Sequence, residues 1–285
     1  MRIEEPRMRS WSNGRVEVEE TAVRSILAPM DRYGSIRGKE YSLNPYVGCV
    51  MGCSFCYVMK YPFAEEHPRA WGTWVRPKIN APHILRKSKA KIWNKDVSMS
   101  SATDPYQYLE REYRLSRKCL EVLLECKLNR MTIHTRSHLV LDDLPLMKEF
   151  GSLMRVGFSI PTDDDRVRKR FEPNAPTIEP RLKTMRKLRE AGFKVSAAIA
   201  PVIHCNPKRL AHLLKDTADR AYIGRMMYDE KTELGKSDKA ARYVRSEAYE
   251  RMIDELAENL KAVGLKDDWR GDRPNRVKRE MQSEI

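Results

Sequence analysis

Six short apolar or β-branched runs, each followed by a polar loop and then by helical periodicity, constrain this chain more than any other feature. The runs are 41–47, 96–101, 130–136, 155–160, 194–200 and 221–226, with helical patterns at 79–91, 107–127, 142–153, 178–191 and 207–217 between them. The best-signalled helix has Pro180 near its start, Leu182, Met185 and Leu188 on one face, and Gly192 as its stop. Strands alternating with helices of this length predict parallel β/α units. Six of them predict an α/β fold built as a partial (β/α)6 TIM-like barrel, left open rather than closed by eight strands.

Residues 1–40 are polar and punctuated by Pro6, Gly14, Pro29, Gly34 and Gly38, which predicts an irregular N-terminal arm. Residues 238–263 read as one long amphipathic helix with Tyr243, Met252, Ile253, Leu256 and Leu260 on its apolar side. The predicted organisation is therefore an arm over 1–40, the partial barrel over 41–228 and a C-terminal helical extension over 229–285. No run of eighteen apolar residues exists, and the first dozen residues lack an apolar core, so neither a membrane span nor a secretory signal is expected. Six cysteines in 285 residues are too sparse for a disulfide scaffold. The expected compartment is cytoplasmic, with reduced thiols.

The net charge of +14 favours polyanionic partners, and its distribution says more than its sum. From His67 to Lys95 there is no acidic residue, while eight lysines and arginines lie there with Trp71, Trp74 and Trp93 interleaved. Cations that grip phosphates, beside rings that stack on bases, compose a nucleic-acid surface. The alternative is a solvated face whose tryptophans turn into the core. Further basic clusters stand at Arg166–Arg170 and, among acidic neighbours, at Arg270–Arg279.

In parallel α/β folds, ligands gather where the strands end. The first strand ends in Gly48-Cys49-Val50-Met51-Gly52-Cys53-Ser54-Phe55-Cys56-Tyr57, a C-x3-C-x2-C spacing. Three thiolates this close can wrap one metal centre, and Gly48 and Gly52 let the backbone turn tightly around it. Zinc wants four ligands, and His67 is a candidate fourth. An iron–sulfur cluster suits a trio better, because a cubane held by three cysteines leaves one iron open for chemistry.

This loop, with an aromatic residue just before its last cysteine, resembles the signature of the radical S-adenosylmethionine superfamily. Segments 42–49 (SLNPYVGC), 103–107 (TDPYQ), 135–137 (TRS) and Glu172-Pro173 are similar to those of its spore photoproduct lyase-like branch. The resemblance implies a 4Fe–4S cluster on Cys49, Cys53 and Cys56. S-adenosylmethionine (SAM) would chelate the open iron, and an electron donor such as flavodoxin or ferredoxin would drive its cleavage to a 5′-deoxyadenosyl radical. It further implies that Phe55 lies against the adenine, and that Ser101, Thr103 and Asp104 stand where the methionine amine is contacted. Arg136, where the branch usually has Lys, would pair with the methionine carboxylate. Ser159 would reach the ribose or carboxylate, and Ala200 and Val202 would edge the adenine.

The chain departs from that branch at the end of strand two. The branch's lyases carry a hydrogen-donating cysteine there, but Ser98–Thr103 holds no thiol, which argues against thymine-dimer repair by that route. Tyr57 and Tyr106 are the candidates to relay an electron or hydrogen atom, with packing as their alternative role. Cys119 and Cys126 lie two turns apart on one helical face and read as core. Cys205, beside His204 in the loop after strand five, has the setting of a working thiol.

The leading expectation is radical chemistry on a nucleic acid base, nucleotide or nucleoside. A second is a tailoring enzyme for a small molecule or peptide, with sulfur insertion through Cys205. A third is a non-catalytic, metal-containing nucleic-acid-binding protein.

Overall fold

In a computed structural model, residues 8–11, 15–30, 40–226 and 242–267 are described. Among them the chain forms strands β1 (Met8–Trp11), β2 (Val16–Glu19), β3 (Leu27–Pro29), β4 (Glu40–Leu43), β5 (Tyr46–Val47), β6 (Trp74–Pro77) and β7 (Asp96–Met99). It continues with β8 (Arg130–Thr135), β9 (Met154–Ser159), β10 (Lys194–Ile199), β11 (Arg220–Ile223) and β12 (Lys266–Asp267). The main sheet runs β12-β11-β10-β9-β8-β7-β4-β3, parallel throughout except for β3, which pairs antiparallel with β4. Its edge strands do not meet, so the barrel is open, with the six predicted strands as its consecutive staves.

Each strand hides one face and shows the other, as the two-residue pleat dictates. On the hidden face Val97, Met99, Met131, Ile133, Val156, Phe158 and Ile199 are buried. They join one core with Leu120 and Leu123 of helix Leu115–Leu124, Met185 and Leu188 of helix Ile178–Glu190, and Leu210 and Leu214 of helix Pro207–Lys215. Burial of each such side chain contributes roughly 1.5–3 kcal/mol. The pattern at 107–127 splits at Arg114, which adopts φ 50° between helices Glu110–Tyr113 and Leu115–Leu124. Helix Asp165–Phe171, capped by the Asp164 side chain, is an addition to the expected set.

Among its described residues the N-terminal segment is not irregular. β1 and β2 form a second sheet, ordered β1-β2-β6-β5, and Val16 and Val18 bury one side of β2. The predicted run 41–47 is two strands, because Asn44-Pro45 interrupts β4 before β5 joins this second sheet. The basic stretch 67–95 contributes β6 and helix Ala81–Lys87. The helix predicted at 238–263 is Glu247–Ala262 within the described residues, and the basic tail at Arg270–Arg279 lies outside them. Among the described residues no helix is long and apolar enough to cross a membrane.

Candidate functional site

The cysteine loop leaves the second sheet at Val47 and folds over the C-terminal end of the parallel sheet. Gly48 has φ +81°, and a Cβ there would lie 2.7 Å from the Trp74 carbonyl oxygen. Gly72, at φ +92°, approaches the loop so closely that its Cβ would stand 2.7 Å from Gly52 Cα. Only glycine permits both the left-handed backbone and the contact. The loop is then braced from two sides. Thr103 Oγ1 donates to the Gly48 carbonyl at 2.6 Å, and Val50 N donates to Gln107 Oε1 at 2.9 Å. From the other side, Asn174 Nδ2 donates to the Val50 carbonyl and Ser54 N to the Phe171 carbonyl, each at 2.9 Å. Asn44 Oδ1 meanwhile accepts from Ser101 N and Ala102 N, fixing the turn after β7 against the end of β4.

These supports enclose a cavity of about 210 Å³ lined by all three loop cysteines. Phe55 and Tyr57 form part of its wall, with Ser101, Thr103 and Asp104 from the turn after β7. Arg136, Ser159 and Ala200, closing β8, β9 and β10, complete the predicted members. Ser100 and Pro201, at the strand ends where ligands are expected, also line it, and so do Trp71 and His134, which no strand-end argument places there. His134 had a signal, since it stands two residues before Arg136 on the same face of β8.

Three expected site residues stand elsewhere. Tyr106 is buried with its hydroxyl donating to Asp143 Oδ2 at 3.0 Å. Val202 is buried beneath helix Glu247–Ala262, its carbonyl accepting from Tyr249 Oη at 2.8 Å. Cys205 is 5% exposed within the main core, and burial, then Asp163 and Glu255, push its thiol up to about 12. That is the reverse of an activated thiol. Tyr57 keeps its place at the cavity and donates its hydroxyl to the Ser101 carbonyl.

Asp104 is a hub rather than an open ligand. Its carboxylate accepts from Thr135 Oγ1 at 2.7 Å, Arg136 N at 2.9 Å and Tyr106 N at 3.0 Å. Arg136 is held differently. Its Nε lies 3.0 Å from Glu172 Oε1, but the N–H is not aligned for a hydrogen bond. Its terminal nitrogens carry no hydrogen bond among the described residues, leaving a guanidinium fork at the cavity. Burial opposes the Arg136 charge, but Cys53, Glu172 and Asp104 around it raise its pKa overall. Glu172 is held ionised below its usual range: burial would raise it, but Arg181 and Arg136 outweigh that. Burial raises the three thiols as well, Cys49 to about 12, while Arg136 acts to lower each of them. A cavity with three thiols, Cys49 and Cys53 buried and Cys56 half-buried, and a guanidinium whose terminal nitrogens are unbonded fits a cationic centre together with an anionic group.

No three His, Cys, Asp or Glu side chains among the described residues group tightly enough for a single metal ion. His67 is stacked on Trp74 with ring centroids 3.9 Å apart, and its Nδ1 accepts from Arg69 N. It is not among the cavity-lining residues.

The family model of the radical SAM superfamily matches residues 43–217. The chain belongs to this superfamily. Membership implies an enzyme that uses SAM and an iron–sulfur cluster. An uncharacterized protein of Methanocaldococcus jannaschii is 32% identical over 193 residues, covering 67% of this radical SAM chain and 70% of that protein. A variant of spore photoproduct lyase with bound AdoMet and dinucleoside spore photoproduct aligns with TM-score 0.60 at 15% identity, over 82% of this chain and 76% of that one. SuiB of Streptococcus suis, bound to precursor peptide SuiA, aligns with TM-score 0.53 at 16% identity, over 84% and 50%. At such identity the two solved structures show the shared fold of the radical SAM protein, an open α/β barrel.

Proposed function

We propose that this protein is a radical SAM enzyme that abstracts hydrogen from a nucleic acid base, nucleotide or nucleoside. The observation that carries the radical chemistry is the meeting of Cys49, Cys53, Cys56 and the unbonded Arg136 fork in one cavity. The three thiols would hold a 4Fe–4S cluster, whose thiolates bind different irons and so need not crowd around one ion. With SAM bound, cluster and cofactor supply a 5′-deoxyadenosyl radical. Arg136 would pair with the methionine carboxylate through the fork that Glu172 holds in place, and Phe55 and Ala200 would offer apolar edges to the adenine. Ser101 and Ser159 would contribute polar contacts beside it. Tyr57 stands between the cluster loop and the turn after β7, at a position to relay an electron or hydrogen atom.

Arg136→Ala is expected to weaken SAM binding at least about tenfold, the loss of one charge-assisted contact, while iron content stays unchanged. Calorimetry of the cluster-loaded variant checks this. Affinity equal to wild type would show that Arg136 only braces the barrel.

The nucleotide reading is supported by a basic surface, although a smaller one than the sequence suggests. Arg69 and Arg76 pair with Glu17 and Glu19, and Arg86 and Lys89 pair with Glu125, so part of the stretch is neutralised by distant acids. Trp74 is buried and Trp71 lines the cavity. What is left is Trp93, 58% exposed with Lys127 over its ring at 5.7 Å, flanked by the exposed Lys87 and Lys91. Replacing Lys87, Lys91 and Lys127 together by Ala should flatten the salt dependence of oligonucleotide binding by about two units. Trp93→Ala should cost roughly 1–3 kcal/mol at every salt concentration. Uniformly weak oligonucleotide binding would instead favour the peptide or small-molecule reading, with which the SuiB likeness agrees. Sulfur insertion through Cys205 loses its support, because that thiol is not among the cavity-lining residues.

The decisive experiment incubates reduced, cluster-reconstituted protein with SAM and deuterated nucleosides or oligonucleotides. Deuterium in the released 5′-deoxyadenosine identifies the substrate. Cofactor cleavage with no transfer from any of them would end the nucleotide reading and leave the cofactor chemistry standing.

A further inference from the structure

The face of the sheet that the helices do not cover carries mostly polar side chains, interrupted by Gly157, Ala198 and Ala200. His134 and Ser159 mark it where it meets the cavity, and the two-residue pleat extends it toward the strand starts. Across β8, β9 and β10, His134, Gly157 and Ser196 stand in register, and the next row contains Thr132, Arg155 and Lys194. Closed barrels of this type fill their interior with branched apolar side chains. Here the same positions make a hydrophilic trough running from the cavity to the opposite rim.

Charge along that trough is uneven. Its acids stand on other strands than β9 and β10: Asp96 of β7 pairs with Arg130 at 2.7 Å, and Glu40 of β4 keeps its charge and accepts from the Ser98 hydroxyl. Arg155 and Lys194 are directly opposite each other on neighbouring strands, both exposed, and neither has an ion pair among the described residues. Like charges placed opposite across paired strands repel. A pair of cations kept there is relieved by an anion between them. His134 lies between this pair and the cavity. Its ring occupies space that Gly157 leaves, since a Cβ on Gly157 would stand 2.4 Å from His134 Nδ1. The imidazole has no hydrogen-bond partner among the described residues and opens onto the cavity.

We propose that Arg155 and Lys194 bind a phosphate group of the substrate, and that His134 hydrogen-bonds the part of the substrate between that phosphate and the reacting carbon. Arg155 precedes Ser159 by four residues, about 13 Å along the strand, and both cationic side chains are long enough to shorten that span. A mononucleotide with its base at the cavity matches it. The inference rests on the nucleotide reading and deepens it by naming the phosphate as the handle. The phosphate could belong to a free nucleotide or to an internal link of an oligonucleotide, and the test separates these sources.

The cluster-loaded full chain is titrated at low salt with the four nucleosides, their 5′-monophosphates, a short oligonucleotide and inorganic pyrophosphate. At least one monophosphate should bind about 10- to 100-fold tighter than its nucleoside. Arg155→Gln with Lys194→Gln should remove most of that difference, while SAM affinity and thermal unfolding stay as in wild type. His134→Ala should weaken the nucleoside itself, with partial recovery in His134→Gln. A phosphate-dependent gain seen with the oligonucleotide but with no monophosphate supports the same subsite and assigns it to nucleic acid. Pyrophosphate binding that the double variant loses, with no nucleoside or nucleotide bound, keeps the anion subsite and ends the nucleotide reading. Monophosphates no tighter than nucleosides, or an undiminished difference in the double variant, overturns the proposal.

Discussion

Replacing Cys49, Cys53 or Cys56 with Ala is expected to leave a folded protein that neither holds iron nor cleaves SAM. Cys49 and Cys53 are 6% and 4% exposed, and the loop that carries them is fixed by backbone contacts from Thr103, Gln107 and Asn174, none of which involves a thiol. Truncation to Ala therefore removes a ligand without removing a brace, and thermal unfolding should shift little. Rescue by another thiol is not available among the described residues. Cys119 and Cys126 belong to helix Leu115–Leu124 and its end, and Cys205 is buried in the main core. Iron and sulfide content, the brown thiolate-to-iron absorption and 5′-deoxyadenosine release are the readouts. All should fall to background in each single variant. A triple variant that still cleaves SAM would overturn the cluster assignment.

The barrel was legible in the sequence because its strands are long enough to show their period and are separated by helices with clear stops. β8, β9 and β10 lie within one residue of their predicted bounds at each end. The cysteine loop was legible because spacing, flanking glycines and position after a first strand all point the same way. What stayed hidden depends on pairing across the chain. β2 has only four residues, too few for a periodicity signal, and becomes a strand by pairing with β6, 57 positions later. The same pairing brings Glu17 and Glu19 to Arg69 and Arg76, so a stretch without acids in sequence is partly neutral in space. Cys205 looked like an active-site residue because it follows a strand end, and Val202 because the family resemblance put it at the adenine. Helix Glu247–Ala262, distant in sequence, packs over that loop and turns both into core, while Ala200 and Pro201 keep the cavity edge.

Glu172 shows the same limit at the heart of the site, and its removal should have the second large effect. In sequence it is one member of a Glu-Pro pair. In space it is fully buried, with Arg181 Nη2 at 2.7 Å from Oε2 and Arg136 Nε at 3.0 Å from Oε1. Arg181 is itself 0% exposed, and its other nitrogens donate to the Pro176 and Ser159 carbonyls. Glu172→Gln leaves that buried cation without its counter-charge, and roughly 3–5 kcal/mol of stability should be lost. Replacing both partners, Glu172→Leu with Arg181→Met, should recover much of the loss, since a well-packed apolar pair often matches a buried ion pair. Arg136 separates the two roles of this carboxylate. If Glu172 also aims the Arg136 fork, the recovered double variant will still bind SAM weakly. Restored stability with wild-type SAM affinity would make Glu172 a structural counter-ion alone. The pH dependence has a defined sign. Because Arg181 and Arg136 hold the folded carboxyl below its unfolded value of about 4.3, its contribution is complete above that pH. It is lost as pH falls through the lower folded value. Acid unfolding of the wild type should therefore be steeper below about pH 4.3 than that of the Leu/Met variant, measured as the slope of stability against pH.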